Sequence, residues 1–199
     1  VLLMAIPMFL SFLIATTLRE PRVGRSEKTV GYLETIREGL AFLRSHRVLK
    51  ILTFDYVSIS AFVFFIIWVY QVILKKLAVP IEWFGFVASG ITLVQVVMVN
   101  LFSRLDSLFG GKRRHIYFSA LISGGAFIGL AFTRNTLFTI VLTLVIAAFG
   151  MTRHPLFLNY MNKFIPSHNR ATVLSAVSMI FNLSSALIYV LLGFLADFN

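Results

Sequence analysis

The chain has 199 residues, 58% hydrophobic and only 13% charged, with a mean hydropathy of +0.88. A soluble domain carries roughly 25% charged residues, so this chain has too little polar surface to cover itself and is expected to be an all-α, polytopic transmembrane helical bundle. With no cysteine, disulfides, iron–sulfur clusters and thiolate chemistry are excluded; the net charge of +10 is explained by where the cations sit.

The first apolar run, residues 1–18, stops at Arg19-Glu20-Pro21, where proline cannot continue a helix cheaply. Val1 lies inside that run with no basic leader before it, so the chain is expected to begin and end within a larger protein. Residues 19–47 are polar. Their second half is amphipathic, with Leu33, Ile36, Leu40 and Leu43 on one helical face opposite Glu34, Thr35 and Glu38. That pattern fits a helix lying on a membrane or capping a bundle.

Five more apolar runs follow, at 48–74, 83–102, 116–132, 137–162 and 171–196. A helix crossing a bilayer needs about 20 apolar residues, with a range of about 17–25. The connections carry turn and charge signals: Lys75-Lys76 with Pro80, the basic stretch from Ser103 to His115, Arg134-Asn135, and Pro166 to Arg170. Small residues in the 116–132 run, including Gly125-x-x-x-Gly129, predict close helix packing.

Assigned to alternate sides of these runs, 14 of the 18 Lys and Arg residues fall on one side and three (Lys75, Lys76 and Arg134) on the other. Cytoplasmic loops are the ones enriched in Lys and Arg, so the linker and the basic loops are expected in the cytoplasm. No basic patch interleaved with aromatics lies outside the membrane flanks, which argues against nucleic acid. The 18th cation, Arg153, is inside an apolar run, beside His154 and Pro155. A charge there costs roughly 2.5–3.5 kcal/mol on insertion scales and marks a functional hypothesis.

Two stretches carry a family resemblance. One is Tyr32-Leu33-Glu34-Thr35-Ile36-Arg37-Glu38-Gly39-Leu40-Ala41-Phe42-Leu43-Arg44 with His46-Arg47-Val48-Leu49; the other is Arg170-Ala171-Thr172-Val173-Leu174-Ser175-Ala176-Val177-Ser178-Met179, ending at Gly193-Phe194-Leu195-Ala196-Asp197. Together with the six-span pattern they resemble the major facilitator superfamily, the first its central linker helix and the second its eleventh span. The resemblance implies spans six to eleven of twelve, with the final helix and most of the N-terminal half missing from this chain. It also implies a cavity lined by the spans at 48–74 and 137–162. The family's basic loop, of the type Gly-x-x-x-Asp-Arg-x-Gly-Arg-Arg, has a degenerate echo in Asp106 to Arg114. Asp106, Gly111, Lys112 and Arg113 are therefore candidates for a gating loop, the other reading being a plain topology signal.

On a regular helical wheel, Leu142, Ile146, Phe149, Arg153, Phe157 and Tyr160 share one face. Asp55, the only acid inside an apolar run, lies about 12 Å from the cytoplasmic end of its span, and Arg153 about 15 Å from the end of its own. Matched depth lets the two pair, switch, or bind an anionic or zwitterionic substrate. The alternative is that Arg153 snorkels to the headgroups and Asp55 meets a basic loop residue. Pro155 withdraws one backbone hydrogen bond from Met151, and with Gly150 nearby predicts a kink. Phe62, Phe149 and Tyr160 are candidates for an aromatic wall, and Asn182 and Gln95 for substrate hydrogen bonds.

The four histidines are far apart and lack ligand spacing, and no phosphate-binding Gly-x-x-x-x-Gly-Lys-Ser/Thr loop occurs, so no metal or cofactor is expected. No His-Glu-x-x-His or similar cluster suggests an enzyme. By resemblance, the expected function is secondary active transport of a small organic molecule by alternating access, proton coupled and in the efflux direction. The expected partners are that substrate, the coupling proton, the lipid bilayer and the missing half of the protein, in a plasma (inner) membrane. A non-transporting sensor or scaffold of the same fold is the alternative.

Overall fold

The computed structural model describes residues 2–18 and 31–197, and every regular element among them is helical. Residues 19–30, the first part of the polar segment, lie outside the described residues. The chain divides into two compact units, residues 1–32 and 33–199.

The first unit holds α1 (Leu2–Thr17), an apolar helix with Pro7 near its start. It is the sixth residue of the helix, past the first turn, so it withdraws one backbone hydrogen bond from the Leu3 carbonyl. At its other end the Thr16 and Thr17 hydroxyls each donate to a carbonyl three residues back, at 2.7 Å, so these polar groups are satisfied within the helix.

The second unit takes in α2 (Tyr32–Ser45) from Leu33 onward. Leu43 of this helix is buried, and Gly39 meets the helix at 170–197 so closely that a Cβ there would sit 2.9 Å from the Thr172 carbonyl oxygen. The amphipathic stretch therefore seats its C-terminal half on the bundle, while Leu33 stays exposed.

Five helical stretches among the described residues are long and apolar enough to cross a membrane: Arg47–Lys76, Glu82–Asn100, Lys112–Phe132, Thr136–Met161 and Ser167–Leu195. The first is two helices, α3 (Arg47–Phe64) and α4 (Ile66–Lys76), joined at Phe65, whose amide donates to the Phe62 carbonyl in a tightened turn. Then come α5 (Glu82–Asn100), the short α6 (Phe102–Leu108) and α7 (Lys112–Phe132). The stretch read as a basic loop from 103 to 115 is thus largely helical, and the turn is confined to Phe109-Gly110-Gly111. Gly110 at φ +74° and Gly111 at φ +121° hold backbone conformations that other residues rarely adopt.

The next span is interrupted. α8 (Thr136–Val145) is capped by the Asn135 side chain, which accepts from the Phe138 amide. A π-helical segment, Ile146–Met151, follows, and α9 (Arg153–Met161) resumes after Thr152. Wider turns of this kind insert one residue into an α-helix. Here the sequence supplies two causes. Pro155 offers no amide to Met151, and the Thr152 hydroxyl donates to the Ala148 carbonyl one turn back. Gly150 makes the bulge packable: a Cβ there would lie 2.6 Å from Val63 Cγ1 and 3.3 Å from Ser123 Cβ. The last described element is α10 (Arg170–Asp197).

Two apolar clusters hold the unit together. One joins Val63, Ile66, Tyr70 and Leu74 to Ile91, Leu130, Ile146 and Met151. The other joins Leu49, Tyr56 and Val57 to Phe157, Met161, Val173 and Val177. The polar residues Thr152 and Arg153 lie in sequence between the π segment of the first cluster and the α9 residues of the second. Within α7, Gly129 accommodates Leu142 as close packing requires, but Gly125 has nothing within 4 Å of where a Cβ would be, so its half of the small-residue pattern makes no contact in this unit.

Candidate functional site

Arg153 opens α9 directly after the π segment and is completely buried. Its guanidinium binds three groups on two other helices. One terminal nitrogen donates to Asp55 Oδ2 of α3 at 2.7 Å; the other donates to the Ile116 carbonyl at 2.6 Å and to Ser119 Oγ at 2.5 Å, both on α7. The Ser119 hydroxyl in turn donates to the Ile116 carbonyl at 2.8 Å. The guanidinium carbon also stands 5.1 Å from the centre of the Phe157 ring, one turn along α9. Its Nε has no hydrogen-bond partner. The side chain thus points into the bundle, toward α3 and α7, and not along α9 toward Lys163.

Arg153 and Asp55 form one of two ion pairs within 4 Å among the described residues. A charge withdrawn from water needs a partner of opposite sign and hydrogen bonds on its remaining donors, and this arrangement supplies most of them. Asp55 is less enclosed, with a third of its side chain exposed. Its open side lines a cavity of about 610 Å³ between α3, α7 and α9, shared with Arg113, Tyr117 and Tyr160. Lys112 stands at that end too, its Nζ 6.0 Å above the Tyr160 ring.

The other candidates are dispersed. Phe62 is exposed and lines a separate groove of about 620 Å³ with Lys50, Phe54, Ser58, Ile180 and Ser184, between α2, α3 and α10. Phe149 lies in the π segment and is half-buried. The extra residue of that segment shifts everything after it by roughly one position, so the regular wheel that put Phe149, Arg153 and Tyr160 on one face does not apply across it. Gln95 of α5 donates to the Ile91 carbonyl at 3.3 Å and lies 3.8 Å from Met151 Sδ. Asn182 is exposed on another face of α10, in a shallow groove with Ser175 and Ser178.

In the loop region, Asp106 pairs with a residue not singled out from sequence. Its Oδ1 is 2.7 Å from His115 Nδ1, and its carbonyl accepts from the Gly111 amide at 2.7 Å. His115 is buried, stacked on Phe109 and edge-on to Phe102. Asp106 thus ties α6 to the first turns of α7, while Lys112 and Arg113 face Tyr160 and the Asp55 cavity.

One further polar pair escaped the sequence reading. Tyr56, next to Asp55, makes a short hydrogen bond through its hydroxyl to Nδ1 of His154, next to Arg153. The only signal for it in the sequence was adjacency to the two charged residues.

No group of three or more His, Asp or Glu residues placed to hold a metal occurs among the described residues. Compared with known proteins, residues 1–189 match the family model described as Major Facilitator Superfamily. No curated protein matches the chain, and no solved structure does. A helical membrane bundle matched over nearly its whole length makes this chain a member of the major facilitator superfamily, a family of membrane transporters.

Proposed function

We propose that this chain forms part of a secondary active transporter that moves a small organic molecule by alternating access, coupled to protons and working in the efflux direction. The observation that carries the reading is the polar face of α10. Ser175, Ser178 and Asn182 recur at helical spacing and lie exposed on a 28-residue helix that is otherwise strongly apolar. A carboxamide facing hydrocarbon is costly, so such a stripe belongs against a water-filled path or another part of the same protein. In this reading the path runs between this bundle and a preceding half, with linker and basic loops in the cytoplasm of a plasma membrane. Asn182 and Gln95 contact the substrate, with Phe62, Phe149 and Tyr160 as apolar surface. Asp55 and Arg153 switch partners as the halves rock. Asp106, Gly111, Lys112 and Arg113 form the loop that biases the rocking.

The test uses the full-length protein in everted membrane vesicles, with a fluorescent aromatic amine supplied in the medium that bathes the cytoplasmic face. The expected result is dye movement driven by an imposed pH gradient, stopped by a protonophore and reduced at least tenfold by Asn182→Leu at equal expression. If no organic solute moves under any ion gradient, the transport reading fails and the sensor or scaffold reading takes its place.

A further inference from the structure

Tyr56 and His154 do not belong to the ion pair beside them. Tyr56 is almost fully buried, and its ring is packed against Phe157 at 5.8 Å and Phe181 at 5.2 Å between centres. The hydroxyl has one hydrogen-bond partner among the described residues, Nδ1 of His154. That fixes the direction of the bond. If His154 donated from Nδ1, the tyrosine hydrogen would be left among aromatic rings with no acceptor, at the cost of an unsatisfied buried donor. The hydroxyl therefore donates, Nδ1 accepts, and the neutral ring carries its proton on Nε2.

That Nε2–H has no acceptor among the described residues, although His154 is only half-buried. Aromatic rings flank the imidazole, Phe64 edge-on at 6.5 Å and Phe181 tilted at 6.4 Å. An unused donor of fixed tautomer, flanked by two aromatic rings and lying about 10 Å from the end of its span, has the make-up of a small-molecule subsite. We infer that His154 is a ligand-binding residue that donates from Nε2 to a neutral acceptor, a ring nitrogen or carbonyl, on a planar aromatic molecule held against Phe64 and Phe181. Tyr56 is its positioning residue. This names a substrate class within the transport reading proposed above and rests on that reading.

Quinoline and naphthalene share size and shape, but only quinoline carries a ring-nitrogen acceptor, which is unprotonated at pH 7.5. The full-length protein in nanodiscs is dialysed against each labelled compound, with empty nanodiscs subtracted for lipid partition. Wild type is expected to retain about fivefold more quinoline than naphthalene, the order of one net hydrogen bond. His154→Phe abolishes the preference, His154→Gln restores part of it through its amide donor, and Tyr56→Phe lowers it while leaving naphthalene retention unchanged. Equal retention of both compounds by wild type, or a preference that survives in His154→Phe, overturns the inference. A cooperative thermal melt qualifies each variant, and His154→Gln carries the comparison if the phenylalanine variant does not fold. Quinoline flux into proteoliposomes separates the two readings. Selective binding without flux upholds this site and defeats transport; gradient-driven flux of organic dyes without selective binding upholds transport and defeats this site.

Discussion

Asp55 with Arg153 and Tyr56 with His154 are neighbouring rungs between the same two helices, each bridging 98 residues of sequence. They turn to different surroundings. The charged rung is closed: Arg153 has no exposed surface, and its two terminal nitrogens donate to α3 and α7, leaving only Nε without a partner. The neutral rung is half-open, and its outer nitrogen is free. The difference teaches that cost of burial and availability for chemistry are separate properties. The most expensive residue in the span has both terminal nitrogens bound within its own fold, and the cheaper neighbour keeps a free donor on its half-open side.

Removing one member of the closed rung breaks the comparison most severely. Arg153→Ala leaves Asp55 and Ser119 without their donor and is expected to lower stability by about 3–5 kcal/mol, read as the thermal melt of the purified protein. Replacing both charges, Arg153→Met with Asp55→Leu, should recover most of that loss, because two well-packed apolar groups replace a desolvated pair. A double variant as unstable as the single one would show that Arg153 matters through its bonds to α7 instead. Gly150→Ala is next in size. Its Cβ would enter Val63, and overpacking of this kind costs about 1–3 kcal/mol; Val63→Ala in the same chain should relieve it. Tyr56→Phe removes one hydrogen bond but keeps the aromatic packing, for a loss of about 0.5–1.5 kcal/mol. Smallest is Asn182→Ala, exposed and without a partner among the described residues, which should leave the melt within about 0.5 kcal/mol while changing dye flux.

Much of the fold was legible because membrane helices obey few rules. Uninterrupted apolar length reads as a span, and the all-helical class follows from it. The matched depth of Asp55 and Arg153 was readable by the same arithmetic, since rise per residue is fixed. What the sequence hid was rotation. Gly150 and Pro155 announced a break, but a kink and a π turn have the same sequence signs, and only the π turn changes which residues share a face. That is why Phe149 and Tyr160, grouped with Arg153 on a wheel, have different surroundings. The pairing of Asp106 with His115 was hidden for a related reason. The segment between them is helical on both sides of a glycine turn, which brings a residue nine positions on within 2.7 Å.

The order of the chain gives the closed rung a history. Asp55 and Ser119 precede Arg153 in the chain, so both acceptors are synthesised before their donor. At about 5–20 residues per second, the 98 residues between Asp55 and Arg153 take roughly 5–20 s to make. Through that interval the carboxyl waits in the membrane without its cation, while the arginine arrives to a prepared site. Assembly of this bundle is therefore timed by the fourth of its five spans, Thr136–Met161, and a nascent chain cut short before Arg153 carries an acid without its cation.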